Sequence, residues 1–177
     1  VLEGADLSKA NLQKANLRKA YLVKAKLDGA DLTHANLSYA VLNRGSLIGV
    51  TAYRTSFAHA SLTFANLYTA DLRESNFDYA SGAMANFYSA NLARSWFFRS
   101  NFMSANFTSA NLYDARFRRA NLSEALLRSA NLTSATVVGS NLTKAELTSA
   151  NLDDANLAGT DMEDAKFTAD SIRDAYK

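Results

Sequence analysis

Large apolar side chains recur at every fifth residue from Leu2 to Ile172, in one unbroken register. Of these 35 central positions, 22 hold Leu and eight hold Phe, and only Ala52 and Gly82 are not large. The position two residues earlier is small, with 26 Ala among 35, and the position between them holds 15 Asn and four Asp among 34. The repeating unit is therefore a small residue, Asn or Asp, Leu or Phe, and two variable residues.

A period of five fits neither a helix nor a long strand. Apolar residues five apart would be spread around a helix of 3.6 residues per turn, and on a strand they would alternate between faces. Within one unit, the small residue and the Leu are two apart and share one side of a short extended segment. The chain must then turn by the next unit, and Asn and Asp favour turns because their side chains bond nearby backbone groups. The pattern predicts a solenoid.

The chain resembles the pentapeptide-repeat family over nearly its whole length, in units such as Ala10-Asn11-Leu12, Ala30-Asp31-Leu32, Ala65-Asn66-Leu67 and Ala150-Asn151-Leu152. This resemblance implies an all-β fold, a right-handed quadrilateral β-helix with four five-residue units per coil. At 20 residues per coil, the chain would form about nine coils.

A coil of 20 residues stacks positions that are 20 apart. One column of centres then contains Phe57, Phe77, Phe97 and Phe117, so we expect stacked phenylalanines in the middle of the rod. We interpret Gly82 and Ala52 as positions that relieve crowding beside these rings, since packed cores tolerate added volume poorly. A dent at the surface is the alternative for Gly82.

The ends of a solenoid need caps. We divide the chain into a β-helix over 1–169 and a C-terminal cap over 170–177, where Asp170 and Ser171 could begin a short helix over 172–177. The repeat is already in phase at Leu2, without a cap. Either residues are missing upstream, or this end meets another molecule and allows oligomers to form.

Composition excludes several classes of site. The chain has no Cys and only two His, so Cys-ligated zinc, disulfides and cysteine nucleophiles are excluded. His34 and His59 fall on different faces, no phosphate-binding Gly loop is present, and we expect neither enzyme activity nor a cofactor. We interpret the acidic residues near the C-terminus as a solvated end rather than a cation site: Asp153, Asp154, Asp161, Glu163 and Asp164.

The net charge of +2 is too balanced to name a partner. Charge is uneven along the chain, because residues 1–60 have eight basic and four acidic side chains and residues 141–177 have four and eight. Solvation of the two ends explains this better than head-to-tail contact. Without an apolar run of membrane length or a signal segment, we expect a cytoplasmic protein that does not span a membrane.

Outward positions on the face of the Phe column combine arginines with aromatic residues. Trp96 and Arg116 replace the usual Asn, and Trp, Tyr and Arg dominate binding hot spots. We predict a surface for a protein partner, formed by Tyr79, Trp96, Phe98, Arg99, Arg116, Arg118 and Arg119. Two alternatives are that the aromatic rings only stack on each other across coils and, less favoured, that the surface holds nucleic acid.

A second group of apolar residues points outward on the adjacent face: Val23, Val41, Phe64, Met84 and Met103. A contiguous exposed apolar patch marks an interaction or oligomer interface, whereas scattered apolar residues are ordinary. We leave both interpretations open.

The leading functional hypothesis is a non-enzymatic scaffold or regulator that presents one face to an unidentified protein. The resemblance implies a second hypothesis, because some family members imitate DNA and bind DNA gyrase, a type II topoisomerase, through strongly acidic surfaces. A net charge of +2 and an arginine-bearing middle depart from that pattern. A third hypothesis is a repeat domain of a larger regulatory protein, which the start of the repeat at Leu2 without a cap favours. The resemblance also points to cyanobacteria, where the family is abundant and some members regulate cell differentiation.

Overall fold

The computed structural model describes residues 1–168, 171 and 175. Its β-structure consists of single-residue parallel bridges, each of which joins a residue to the one 20 positions later. The bridges run from Asp6↔Lys26 to Glu146↔Lys166, with four bridging positions in every 20 residues. Over residues 1–168 the chain has no α-helix and no strand longer than one residue. One turn of backbone thus stacks directly on the next, which is a β-helix.

Each five-residue unit in the interior of the rod pairs four of its five backbone N–H groups with other backbone groups. In the unit around Phe57, the N–H of Ser56 donates to the carbonyl 21 residues earlier, at 3.0 Å. The N–H groups of Phe57 and His59 donate to carbonyls 19 residues later, at 2.7 and 2.9 Å. The N–H of Ala60 donates to the Phe57 carbonyl at 2.9 Å, which closes a β-turn.

The turn is formed by the two variable residues, not by Asn or Asp. Its third residue has positive φ in every unit from Gly4 to Asp164, for example 59° at His59 and 51° at Arg99. A type II turn requires this sign of φ, which usually favours glycine. Most of these positions nevertheless hold other residues. The repeated hydrogen bonds around each turn hold the side-chain-bearing residues in this conformation.

The core contains the predicted columns. Phe57, Phe77, Phe97 and Phe117 are fully buried, and their ring centroids are 4.9, 4.9 and 4.4 Å apart in stacked pairs. A second stacked pair, Phe87 and Phe107, meets this column edge to face. The predicted phenylalanine stack is confirmed.

Gly82 is buried, so the alternative of a surface dent is wrong. A Cβ atom at this position would lie 2.1 Å from Cε1 of Phe102, far inside van der Waals contact. The Phe102 ring fills the volume that a Leu at position 82 would need. Gly82 therefore relieves crowding, as predicted.

Buried hydroxyl groups in the small-residue column are satisfied by backbone carbonyls. Thr55 donates to the Leu32 carbonyl at 2.6 Å, and Ser75 donates to the Ala52 carbonyl at 2.5 Å. These bonds remove the cost of burying a hydroxyl. Ser and Thr can thus replace Ala without opening the core to water.

The contact through the N-terminal end and the C-terminal cap remain predictions. Leu2 is 37% exposed, whereas Leu22 is fully buried, because no described turn covers the first one. This exposed edge is the basis of the predicted contact through the N-terminal end. At the other end, the predicted cap and helix start at Asp170 lie outside the described residues, apart from Ser171 and Ala175.

Candidate functional site

The Asn and Asp column supplies the acceptor for the fifth N–H group of many units. The Oδ1 atom of Asn11 accepts from the N–H of Gln13 at 3.1 Å, and Oδ1 of Asn76 accepts from the N–H of Asp78 at 2.7 Å. The amide groups also bond along the column, for example Nδ2 of Asn86 to Oδ1 of Asn66 at 2.9 Å. The preference for Asn and Asp therefore follows from the N–H group of the first variable residue of the turn, which has no backbone partner.

Three units that lack this Asn obtain the acceptor from the preceding coil instead. The N–H of Phe98 donates to Oδ1 of Asp78 at 2.7 Å, which leaves position 96 open to Trp. Asp28 and Asn43 play the same part for Ile48 and Thr63, at 3.0 and 3.1 Å. Because Asp78 accepts this hydrogen bond, Trp96 can replace Asn without leaving the N–H of Phe98 unpaired. The same bond holds the backbone of Phe98.

We predict that Asp78→Ala destabilises the backbone at Phe98 without unfolding the rod. The loss of a part-buried bond to a charged acceptor costs about 1–2 kcal/mol, so the Phe98 amide should exchange its hydrogen roughly tenfold faster. Hydrogen exchange followed by NMR measures this change directly. Asp78→Asn should retain the slow exchange, since an amide oxygen serves at Asn43.

The matched control for this prediction is Asn43→Ala. It should accelerate exchange at Thr63 and leave Phe98 unchanged, because each acceptor serves one amide. Equal exchange at Phe98 in wild type and Asp78→Ala would contradict the assigned role of Asp78.

A continuous outward column runs along the predicted surface. Tyr39 and His59 stack with ring centroids 4.5 Å apart, and His59 and Tyr79 stack at 4.9 Å. Tyr79 then meets Phe98 edge to face at 5.4 Å. The column ends with Arg99, whose guanidinium carbon lies 5.3 Å from the centre of the Phe98 ring. Ring contacts across turns, which the stacking alternative describes, are thus present at Tyr79 and Phe98.

Arginines without a carboxylate partner follow this column. Trp96 is half-buried and is the bridge partner of Arg116. Arg99, Arg116, Arg118 and Arg119 are exposed. Within residues 1–168, none of these four arginines forms an ion pair, whereas Arg94 and Arg128 do. The structure therefore brings all seven predicted residues to one side, as an aromatic strip beside a positively charged cluster.

The second apolar patch separates into two parts. Phe64 and Met84 occupy the same column in successive turns, are about half exposed, and have Met103 in the next turn. Val23 and Val41 are half-buried and lie nearer the N-terminus, where Val41 bridges to Tyr21. Val23 and Met103 share one column, and between them this column contains the polar residues Asn43 and Thr63. The patch is therefore smaller than the prediction implied.

The model of the family described as pentapeptide repeats matches this chain in eight copies, over residues 1–38, 15–51, 53–81, 85–124 and 125–164. The chain belongs to the pentapeptide-repeat family. A search of curated proteins finds no significant match.

Two solved pentapeptide-repeat structures illustrate the relationship. A trypsin-treated form of QnrB1, a plasmid-mediated fluoroquinolone resistance protein, superposes with a TM-score of 0.77 at 19% identity, over 87% of this chain and 88% of QnrB1. The likeness to QnrB1 supports a right-handed β-helix and nothing about activity. HetL of the cyanobacterium Nostoc sp. strain PCC 7120, involved in regulating heterocyst differentiation, is 30% identical over 97% of this chain and 86% of HetL, with a TM-score of 0.34.

No catalytic family is indicated for this pentapeptide-repeat protein. In the described part of the chain, no three His, Asp or Glu side chains converge as metal ligands. Nor do the described residues contain a helix with the length and apolar character needed to cross a bilayer.

Sequence reasoning missed one concave feature of this pentapeptide-repeat protein. A groove of about 340 Å³ is lined by Tyr53, Arg73, Glu74, Ala93, Arg94 and Tyr113. It lies on a different side from the seven predicted partner residues around Trp96, which we call the Trp96 surface. A signal for it exists in the sequence, because positions 53, 73, 93 and 113 are 20 apart and only Ala93 among them is small. Its depth, however, depends on side-chain positions that a repeat pattern does not contain.

Proposed function

We propose that this protein is a non-enzymatic interaction scaffold whose partner-binding surface consists of Tyr79, Trp96, Phe98, Arg99, Arg116, Arg118 and Arg119. The observation that carries this proposal is that Trp96 and Arg116, in adjacent turns, replace the Asn that usually precedes the central residue of the unit. They lie beside arginines that form no ion pair within residues 1–168. Replacing Asn here removes local side-chain-to-backbone bonds. A partner that contacts Trp96 and Arg116 offers a physical reason for that change.

The arrangement has the properties of a binding hot spot. Tyr79 and Phe98 are held by ring contacts, and the Phe98 backbone is held by Asp78, so little conformational entropy is lost when a partner docks. Trp96 offers a large half-buried ring, and the arginines around it offer donors for carboxylates. The matching partner is a protein with an acidic surface around an apolar contact.

The same proposal includes the cross-section of the rod and its number of turns. Four bridging positions in every 20 residues support a four-sided cross-section with about nine turns. Such a rod has flat sides, and one of them carries the Trp96 surface.

Imitation of DNA, the competing hypothesis, finds little support in this surface. A DNA mimic needs a negative surface, but the exposed cluster of Arg99, Arg116, Arg118 and Arg119 is positive. We therefore favour an acidic protein partner over a topoisomerase. The third hypothesis, in which the chain is a repeat domain of a larger regulatory protein, is compatible with either partner.

The test begins with a photo-crosslinking amino acid, p-benzoylphenylalanine, placed at Phe98 in source cells. The same residue at Thr148, on another side, is the control. We expect a protein that crosslinks from position 98 and not from position 148, identified by mass spectrometry. Equal crosslinking from both positions, or none from position 98, would contradict the proposed surface.

Charge reversal then tests the surface quantitatively with the captured protein. The variant Arg116→Glu, Arg118→Glu, Arg119→Glu is expected to weaken binding about tenfold or more, measured by calorimetry. The control Lys9→Glu, Lys14→Glu, Lys24→Glu changes the net charge equally, from +2 to −4. Similar weakening by both variants would show a general charge effect instead of a site.

A further inference from the structure

A column of aromatic and arginine side chains lies on the side of the rod that carries the groove. Successive turns place Tyr53, Arg73, Ala93 and Tyr113 at equivalent positions, 20 residues apart. Tyr53 meets His34 edge to face at 5.8 Å. The guanidinium carbons of Arg54 and Arg73 lie 5.0 and 5.7 Å from the Tyr53 ring centre. In this half of the column, ring and guanidinium groups contact each other from turn to turn.

Ala93 interrupts the column. It lines the groove together with Arg73, one turn earlier, and Tyr113, one turn later. Tyr113 is 39% exposed and, within residues 1–168, forms no aromatic pair and no cation–π contact. The turn at Ala93 is therefore the one place between Tyr53 and Tyr113 where the column lacks a large side chain.

The walls of the groove are held in place before any ligand arrives. Arg73 donates to both carboxylate oxygens of Asp71, at 2.7 and 2.6 Å, and these bonds lower the pKa of Asp71. Arg54 donates to Glu74 at 2.7 Å and lowers the pKa of that carboxyl group. Arg73 and Glu74 are thus ion-paired at neutral and mildly acidic pH, where both carboxyl groups stay ionised.

The width of the gap suits one planar ring. Neighbouring turns are about 4.8 Å apart, so Arg73 and Tyr113 are separated by about 9.6 Å along the rod. On the side of the rod that carries Trp96, rings in neighbouring turns stack at 4.5 and 4.9 Å. A ring at the level of Ala93 would lie one such step from each wall and complete the column.

We propose that the groove over Ala93 binds a planar aromatic group, stacked between Arg73 and Tyr113. Stacking on Tyr and on a guanidinium is favourable for any flat π system. An acidic group on the same ligand would reach Arg94, whose ion pair with Asp114 is long at 3.9 Å and whose side chain is 60% exposed. The ligand is therefore a planar aromatic acid.

NMR titration of the full chain, isotopically labelled, tests this site with three probes. Indole-3-acetate carries a planar ring and a carboxylate, N-acetyltryptophanamide is a neutral mimic of a peptide side chain, and cyclohexaneacetate has the carboxylate without the planar ring. We expect saturable shifts at Ala93 and Tyr113 with indole-3-acetate and at least tenfold weaker binding of cyclohexaneacetate and of the neutral probe. No binding of indole-3-acetate would overturn the site, and equal binding of the neutral probe would overturn the acid as its ligand.

The decisive variant is Ala93→Tyr, which fills the gap from within the chain. It is expected to fold, because Tyr occupies this column at positions 53 and 113, and to weaken the binding of indole-3-acetate at least tenfold. The control Ala83→Tyr makes the same change at the equivalent position two five-residue units earlier, on another face, and should leave binding within about twofold. Unchanged binding in Ala93→Tyr, or equal binding of cyclohexaneacetate, would overturn the proposal. The groove shares no residue with the Trp96 surface, so the two proposals fail independently.

Discussion

Replacing Phe97 by Ala is expected to lower the free energy of unfolding by about 3–5 kcal/mol, the largest single effect that we predict. The ring is fully buried and stacks on Phe77 at 4.9 Å and on Phe117 at 4.4 Å. Phe102 meets it edge to face at 5.2 Å. The variant loses both the transfer of the ring out of water and the contacts around the cavity that remains.

Urea denaturation followed by far-UV circular dichroism measures this change. Phe97→Leu places the commonest central residue of the repeat at the same site and should cost roughly half as much or less. Leu12→Ala, in the partly covered first turns, should cost less than Phe97→Ala because less apolar surface becomes exposed. A loss below about 1 kcal/mol in Phe97→Ala would contradict the tightly packed column. A broadened or biphasic transition is also expected, since each turn is stabilised by its neighbours and the middle of the rod would melt first.

Replacing Gly82 by Ala is expected to destabilise the protein, although Ala is closer than Gly to the repeat consensus. The added Cβ would lie 2.1 Å from Cε1 and 2.5 Å from Cδ1 of Phe102. The ring cannot move freely, because Phe77, Phe87 and Phe97 surround it with centroid distances of 6.0, 5.6 and 5.2 Å. Overpacking of this kind costs about 1–3 kcal/mol.

The double variant Gly82→Ala, Phe102→Leu separates this effect from a general effect of Gly. Leu at position 102 vacates the space of the ring, so the double variant should be more stable than the sum of the two single changes predicts. A coupling energy of about 1 kcal/mol or more in this double-mutant cycle is the expected result. Additive changes would show that Phe102 is not what excludes a side chain at position 82.

Much of the fold follows from local repetition. A small residue and a Leu two positions apart share one side, and a period of five forces a turn in every unit. The two positions without a large residue, Ala52 and Gly82, are visible in the sequence, and the crowding expected at Gly82 is real because stacked positions are 20 apart. The seven residues of the Trp96 surface lie together for the same reason, since outward positions keep their order along a regular rod.

Other features depend on contacts between turns. Asn and Asp are expected in the turn, but they lie before it and accept the one N–H group that the backbone leaves unpaired. Asp78 takes over this bond from the preceding coil for Phe98, 20 residues away. No property of the local five-residue unit indicates that Asp78 supports the Trp96 surface.

The sequence by itself determined the repeating turn, the buried and exposed positions and the central column of phenylalanines, because each of these depends on residue spacing alone. Only the tertiary structure decided which outward rings stack, which arginines have carboxylate partners, and that Ala93 leaves a groove between Arg73 and Tyr113. These features arise from side-chain conformations and from neighbours 20 residues away. Identical five-residue patterns are therefore compatible with either a flat surface or a binding site.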